Sequence, residues 1–172
     1  MASSLRDLRG PIRALFSDVD GTLTTGGRVE AATYAALEQL GASGVPVVLV
    51  TGRPAGWGQA FMSVAPVAAV VTENGGVTWM RDGRRMTKTY GVPAQSLPEW
   101  RRRMHEAVAE VAQRVPGARL SADSKYREVD LAIDWNEEAE LSSDDADQVV
   151  AILRRAGFTA TRSSVHVNFG PP

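Results

Sequence analysis

The sequence has no cysteine, no excess of charge of either sign and no long apolar run, and each absence excludes a class of protein. Without cysteine among its 172 residues, the chain has neither a disulfide framework nor thiol chemistry. Its 19 basic and 20 acidic residues give a net charge of −1, so no basic field predicts binding to nucleic acid or to an anionic membrane. No apolar run reaches the ~18 residues of a membrane span, and no apolar signal segment opens the sequence, so we expect a cytoplasmic protein.

The first half alternates short apolar runs with helix-forming segments. The runs at residues 12–17, 45–51 and 67–72 predict strands, and the wholly apolar second run is typical of a parallel strand buried on both faces. Residues 29–40, rich in Ala, Leu and Glu, and the segment that begins at Pro54 predict helices between them. This order of strands and helices is typical of an α/β fold with a doubly wound parallel sheet.

The second half has a different pattern. After a hairpin that turns at Asp82-Gly83, the predicted elements are a charged helix at 97–115, two strands within 118–135, a helix capped near Ser142 and two strands within 158–169. Helix, hairpin, helix, hairpin predicts an α+β unit, with the boundary near residue 85. The alternation in "EVDLAID", residues 128–134, predicts a strand with one solvated face.

Polar residues and glycines follow each predicted strand of the first half. In an open α/β sheet, ligands bind beyond the carboxyl ends of the strands, so three such ends should form one rim. The candidate residues there are Asp18, Asp20 and Gly21 after the first strand, Thr51, Gly52 and Arg53 after the second, and Asn74 after the third.

The two aspartates of this rim raise an electrostatic question. Asp18 and Asp20 have the same parity and start out on the same side of the strand, where like charges need a cation or a shared proton. Oxygen ligands suit Mg²⁺, which proteins commonly hold with one or two carboxylates plus substrate phosphate. The backbone N–H of Gly21 and the hydroxyl of Thr51 are candidate donors to the same anion. This combination favours phosphoryl transfer, with one carboxylate as nucleophile and the other as general acid and base.

The motifs "DVDGTLT", "VTGRP" and "TENGG" together resemble those of the haloacid dehalogenase superfamily of aspartyl-phosphate phosphatases and phosphomutases. The resemblance implies that Asp18 is the nucleophile, that Asp20 is the general acid/base, and that Thr51 binds the phosphoryl group. It also implies a Mg²⁺ ion held by Asp18 and the backbone carbonyl of Asp20.

The second half resembles the α/β cap of the class IIB branch, which includes Cof-like and sugar-phosphate phosphatases, trehalose- and sucrose-phosphate phosphatases and phosphomannomutases. The expected domains are therefore a core at residues 1–84, a cap at 85–168 and a return toward the core at 169–172. In the cap, Lys125 and Arg127 are candidates for pairing with a substrate anion. His166 and Asn168, two apart on a predicted strand, are candidates for binding the rest of the substrate.

Two motifs of that superfamily are absent from these 172 residues: the lysine that neutralises the phosphoryl charge and a "GD-x-x-D" loop with a further metal-binding aspartate. The strands that should flank the first strand are missing with them, which predicts an apolar sheet edge. Two explanations stay open: the sequence is a fragment of a longer protein, or the edge is covered in a homo-oligomer.

Three functions follow as hypotheses. The first is a Mg²⁺-dependent phosphatase that acts on a small phosphorylated metabolite, with a sugar phosphate as the expected substrate class. The second is a phosphomutase of the same fold, and the third is a truncated relative that binds without catalysis.

Overall fold

The structure is a computed structural model that describes residues 10–172. Its helices are α1 (Ala31–Ala42), α2 (Ala55–Val64), α3 (Leu97–Arg114) and α4 (Ser143–Arg155). Its strands are β1 (Leu15–Asp18), β2 (Val47–Val50), β3 (Ala69–Thr72), β4 (Val77–Asp82), β5 (Arg85–Tyr90), β6 (Arg119–Leu120), β7 (Leu131–Asp134), β8 (Thr159–Arg162) and β9 (His166–Gly170). In these residues no helix is both long and apolar enough to cross a membrane.

The first sheet has the order β1-β2-β3-β4-β5. Strands β1, β2 and β3 are parallel, whereas β4 and β5 form an antiparallel hairpin that extends the sheet beyond β3. Because parallel strands need a crossover connection, α1 and α2 lie between them in the chain. The carboxyl ends of β1, β2 and β3 therefore meet at one edge, as the sequence predicts, and the expected α/β fold class is confirmed.

Only part of the first sheet is covered. Val47, Leu49 and Val70 are buried in a cluster with residues of the turn after β1 and of α1 and α2. On β1, in contrast, Phe16 is 68% exposed, and Val50 on the neighbouring strand is 39% exposed. Among the described residues β1 pairs only with β2, so it forms the apolar edge that the sequence predicts.

The second sheet has the order β6-β7-β9-β8 and is antiparallel throughout. Helices α3 and α4 pack against each other on one of its faces, and the apolar residues between helices and sheet form the largest core of the molecule. Both strand pairs predicted for this half are present. Residues His166 and Asn168 of β9 share a face, while Val167 and Phe169 are buried on the other, beneath the helices.

Two expectations can be compared with the strand pairing and burial. The division at residue 85 falls inside the hairpin of the first sheet, because β5 pairs along its whole length with β4. The change of sheet therefore comes after Tyr90, and β9 of the second sheet continues to Gly170. The assignment of these parts as core and cap domains stays a prediction.

The predicted solvated face of residues 128–134 is wrong. All four residues of β7 are buried, including Asp134, and Asp130 just before it is 5% exposed. Asp130 and Asp134 are buried here because protein hydrogen-bond donors surround them, while Glu128 is partly exposed. Asp134 accepts from the backbone N–H groups of Glu137, Glu138 and Ala139, and Asp130 accepts from Arg127 and Asn74.

Candidate active site

The turn after β1 places Asp18 and Asp20 at the edge of the first sheet. Val19 and Leu23 anchor the turn in the core, being 1% and 8% exposed, and the N–H groups of Leu23 and Thr24 both donate to the carbonyl of Val19. Asp18 and Asp20 are exposed on either side of the buried Val19. The turn thus presents both carboxylates to solvent from a fixed backbone.

Gly21 is needed in this turn for its backbone conformation. Its φ is +77°, in the left-handed region that favours glycine, and its N–H donates to the hydroxyl of Thr24 at 3.3 Å. The same hydroxyl donates to the carbonyl of Val19 at 3.1 Å. The predicted role of Gly21 as an anion donor therefore requires this long hydrogen bond to be exchanged for one to the ligand.

The turn after β2 brings Thr51, Gly52 and Arg53 beside the first turn. Thr51 is buried, and its hydroxyl accepts from the N–H of Arg53 at 3.2 Å, which closes a local turn. Because Asp18 and Val50 are register partners, the β1 and β2 ends are adjacent. Gly52 lies close to Asn74, since a Cβ on Gly52 would be 3.1 Å from the Oδ1 atom of Asn74 and would require that side chain to shift.

Arg53 connects the two turns directly. Its guanidinium donates to both carboxylate oxygens of Asp20, with Nε at 2.9 and 3.1 Å and Nη2 at 2.5 Å. This hydrogen bond raises the pKa of Arg53 against the opposing effect of burial. The guanidinium also lies over the ring of Trp57, 4.2 Å from its centroid. Trp57 is itself 42% exposed at this rim.

The turn after β3 has an unusual backbone. Glu73 and Asn74 have φ values of +52° and +54°. Every other residue with positive φ in the described part of the chain is a glycine. Such a conformation is tolerated by asparagine but strained for glutamate, at a cost of about 1–3 kcal/mol. The N–H of Glu73 donates to the carbonyl of Arg53 at 3.0 Å, so this turn is fastened to the β2 end.

Arg127 does not face the rim as an anion ligand. It is 3% exposed and donates to Asp123, to Asp130 and, at 3.1 Å, to the carbonyl of Gly52. The residue predicted to contact substrate instead supports the turn of residues 51–53 from behind. Arginine suits this buried position because its planar fork serves several acceptors at once.

The remaining candidates of the second half differ in their exposure and contacts. Lys125 is exposed, with its ammonium 5.0 Å from the ring centroid of Tyr126. Tyr126 lies against the backbone of Gly56. A Cβ atom placed on Gly56 would be 3.8 Å from the Cβ atom of Tyr126. This contact brings the loop with Lys125 beside the start of α2.

His166 and Asn168 lie on the face of the second sheet away from its helices. His166 is half-buried and hydrogen-bonded through Nε2 to Glu137 at 2.8 Å. The Oδ1 atom of Asn168 is buried without a hydrogen-bond partner in the described residues. The charges of Asp123 and Glu137 contribute to the raised pKa of Arg53, although less than the hydrogen bond to Asp20.

Asp130 is the most perturbed carboxyl of the region. Burial raises its pKa to about 7 and the Glu73 carboxylate acts in the same direction, while Arg127 and Asn74 favour the charged form. The Oδ2 atom of Asp130 accepts from the amide of Asn74 at 2.9 Å. Asn74 therefore bonds to the second sheet on one side and contacts Gly52 on the other.

The residues of the rim fit a Mg²⁺ ion in number and kind. The Asp18 carboxylate and the backbone carbonyl of Asp20 are oxygen donors of the kind that Mg²⁺ takes from a protein, with phosphate and water completing its shell. Residues 10–172 contain no group of three His, Cys, Asp or Glu residues that would form a larger metal cage. The described residues therefore do not form a metal site built from protein ligands alone.

Sequence reasoning missed the two carboxylates behind the rim, Glu73 and Asp130. The sequence patterns assigned no role to Glu73, and they placed Asp130 in a strand with one solvated face. One signal was available for each: an acidic residue directly after a buried strand, and an aspartate three residues after an arginine. Neither signal distinguishes a buried contact from a solvated one.

The comparisons with known proteins agree with this geometry. The model of the haloacid dehalogenase-like hydrolase family matches residues 15–107, which is more than half of the chain. The chain belongs to the haloacid dehalogenase-like hydrolase family. A search of curated proteins found no match.

Solved structures share the fold over nearly the whole chain. A protein of Thermoplasma acidophilum has a TM-score of 0.73 at 20% identity, with 93% of this chain and 64% of the other covered. The C-terminal domain of trehalose-6-phosphate phosphatase from C. albicans has a TM-score of 0.66 at 15% identity, covering 93% and 57%. A sugar phosphatase of haloacid dehalogenase subclass IIB has a TM-score of 0.59 at 14% identity, covering 92% and 70%.

At these identities the likeness shows the fold alone. The chain spans less than two thirds of the length of the first two structures. The fold, with its second α+β unit, is thus shared with these structures, one of which is a subclass IIB sugar phosphatase.

Proposed function

We propose that the protein is a Mg²⁺-dependent phosphatase that hydrolyses a small phosphorylated metabolite, with a sugar phosphate as the substrate class. The principal support is the adjacency of the β1 and β2 ends, which puts Asp18 and Asp20 beside Thr51 and Arg53. Family membership supports hydrolysis, and the named phosphatases of the same fold support a phosphate ester. Lys125, His166 and Asn168 are proposed to bind the non-reacting part of the substrate.

In the proposed reaction a carboxylate oxygen of Asp18 attacks phosphorus, and the bond from phosphorus to the leaving oxygen breaks. Asp20 gives that oxygen a proton, and then takes a proton from the water that hydrolyses the aspartyl-phosphate. The hydroxyl of Thr51 donates to a phosphoryl oxygen. Bound Mg²⁺, held by Asp18 and the carbonyl of Asp20, would neutralise phosphoryl charge.

Arg53 has to release Asp20 during this cycle. A carboxylate that accepts from a guanidinium through both oxygens does not hold a proton for a leaving group. We propose that an entering phosphate draws the guanidinium away from Asp20, since a phosphoryl group offers Arg53 an equivalent bidentate partner.

Replacing Asp18 with asparagine tests the proposal. Asp18→Asn removes the nucleophile, so phosphate release from a panel of sugar phosphates should fall by about a thousandfold or more. Release should also require Mg²⁺ and stop when the metal is chelated. The measurement is inorganic phosphate liberated over time.

Asp147→Asn is the matched control, because Asp147 is an exposed aspartate whose contact is a surface ion pair with Arg162. It should retain the activity of the unaltered protein. Phosphatase activity that survives Asp18→Asn would refute the mechanism.

A further inference from the structure

Residues 127–130, which lead into β7, make the polar contacts between the second sheet and the first; we call them the junction segment. Arg127 donates to the carbonyl of Gly52. The carboxylate of Glu128 accepts from Lys88 and Tyr90 of β5, at 2.7 Å and 2.6 Å. The carboxylate of Asp130 accepts from Asn74, and the side chain of Val129 is buried in an apolar cluster with Ala55 and Val77. Every residue of the segment thus contacts the first sheet or its turns.

Glu73 is at the centre of this junction. Its carboxylate accepts from the backbone N–H groups of Glu128 at 2.9 Å, Val129 at 2.6 Å and Asp130 at 3.0 Å. It also accepts from the N–H of Ala55, the first residue of α2, at 2.8 Å. One side chain therefore joins the end of β3, the start of α2 and the junction segment.

The surroundings of Glu73 are those of a constrained, dry contact. The residue is 2% exposed although it is acidic, and buried carboxylates are retained only where donors surround them. Its backbone φ is positive, as described above, which the chain accepts where neighbouring contacts determine the conformation. Gly76 follows in the same turn, where a Cβ would lie 3.0 Å from Val129.

We propose that Glu73 is a positioning residue for the rim. Through the three amides it holds the junction segment against the end of β3. The junction segment in turn holds residues 51–53, through the bond from Arg127 to Gly52, and Asn74, through Asp130. The consequence for catalysis rests on the proposed function, whereas the consequence for local structure is measurable without any activity.

Amide hydrogen exchange of Glu73→Gln, resolved residue by residue by NMR, tests the structural part. Glutamine keeps the shape of the glutamate side chain but carries no charge. Its NH₂ group is a donor and would face the backbone N–H groups, which are also donors. Exchange at residues 55 and 128–130 should accelerate by about tenfold or more, as expected when a charged acceptor is lost. Amides of β8 and β9 should keep their protection.

Glu128→Gln is the matched control, since it removes a carboxylate from the same junction but leaves the acceptor of the three amides in place. Its amides at residues 128–130 should exchange at the unaltered rate. Unchanged exchange in Glu73→Gln, or equal acceleration over the whole chain, would overturn the proposal.

Arg127→Lys tests the second step and does not depend on the folding of the first variant. Lysine keeps the charge but cannot serve Asp123, Asp130 and Gly52 together, so the amide resonances of Gly52 and Arg53 should shift while those of α3 do not. Unshifted resonances of Gly52 and Arg53 would overturn the link to the rim.

Hydrolysis of p-nitrophenyl phosphate with Mg²⁺ tests the catalytic consequence. The kcat/KM of Glu73→Gln should fall by about tenfold or more, because a small misplacement of positioned groups is costly. Glu99→Gln, which alters an exposed ion pair of α3 with Arg102, should stay within about twofold. Normal kcat/KM in Glu73→Gln with fast junction amides would reject the positioning role. An unaltered protein that releases no phosphate would count against the proposed function, and amide exchange would then decide the junction by itself.

Discussion

The two sheets differ in how completely they bury their apolar residues. In the second sheet, Ile133 and Phe169 are at most 2% exposed beneath two helices, and Phe158 packs edge-on against Phe169 with ring centroids 5.5 Å apart. In the first sheet, Phe16 on the edge strand is 68% exposed. The unit that closes on its own core is therefore the one without the candidate catalytic carboxylates. The candidate catalytic unit is the open one.

This difference bears on where stability and chemistry lie. The largest buried apolar cluster of the described residues lies in the second unit, and hydrophobic stabilisation grows with the apolar area removed from water. The rim depends instead on polar contacts between turns, such as those of Arg53, Glu73 and Arg127. Contacts with the second unit thus help to hold the turns of the rim in place.

The largest expected effect comes from the same substitution made in both sheets. Phe169→Ala should lower the free energy of unfolding by about 3–5 kcal/mol, because it leaves a cavity in a packed core. Phe16→Ala should change it by less than about 1 kcal/mol, because the ring is already in water. Denaturant unfolding measures both. An equal loss in the two variants would show that the face of β1 is covered in solution.

The pH dependence of stability separates the junction from the rest. The folded pKa of Asp130, about 7, lies above the ordinary value, so the folded protein binds the extra proton between pH 4 and 7. The protonated Asp130 therefore contributes roughly 1–4 kcal/mol to stability below about pH 4. That contribution is lost as the pH rises to about 7.

Asp134 behaves in the opposite way. Burial would raise its pKa, but three backbone donors outweigh burial and lower it, so its contribution is lost as the pH falls below about 4. In the unaltered protein, the unfolding midpoint should therefore be lower at pH 7.5 than at pH 5. In Asp130→Asn, the midpoints at these two pH values should be closer together. A decline of the same size in Asp130→Asn would contradict the assignment to Asp130.

The smallest expected effects concern the helix starts. In α4, the hydroxyl of Ser142 accepts from the N–H of Asp145 within a capping box, whereas the corresponding Glu30 of α1 makes no side-chain cap. Ser142→Ala should cost about 1 kcal/mol, and Glu30→Ser should stabilise by about 0.5 kcal/mol, since it adds an acceptor for orphan donors. Thermal unfolding measures both. A destabilised Glu30→Ser would show that the first unit gains nothing from caps.

Most of the elements were predictable from local sequence. The apolar runs gave β1, β2 and β3 within a few residues, and Asp82-Gly83 gave the hairpin turn between β4 and β5. The sheet that this hairpin joins was not predictable, because pairing depends on which strand edge is free after folding. The boundary predicted near residue 85 therefore falls inside this hairpin.

The candidate site divides in the same way. The order of residues along the chain was sufficient to bring Asp18, Asp20 and Thr51 to one rim, since parallel strands put their carboxyl ends together. The roles of Glu73, Arg127 and Asp130 were not accessible, because burial of a charged residue is a property of its surroundings. Arg127, expected to contact substrate, serves as a buried support.

By itself, then, the sequence determined the α/β class, the family motifs and the strand ends that supply the candidate catalytic residues. These follow from hydrophobic periodicity and from chain order, which are local. Tertiary structure alone decided that Glu73 accepts from four amides and that Arg127 supports Gly52. Except for the contact with Ala55, those contacts join residues more than fifty positions apart, such as Glu73 and Asp130, which are 57 positions apart in the chain. Only packing of the second sheet against the first brings such donors and acceptors together and removes the water that would otherwise satisfy them.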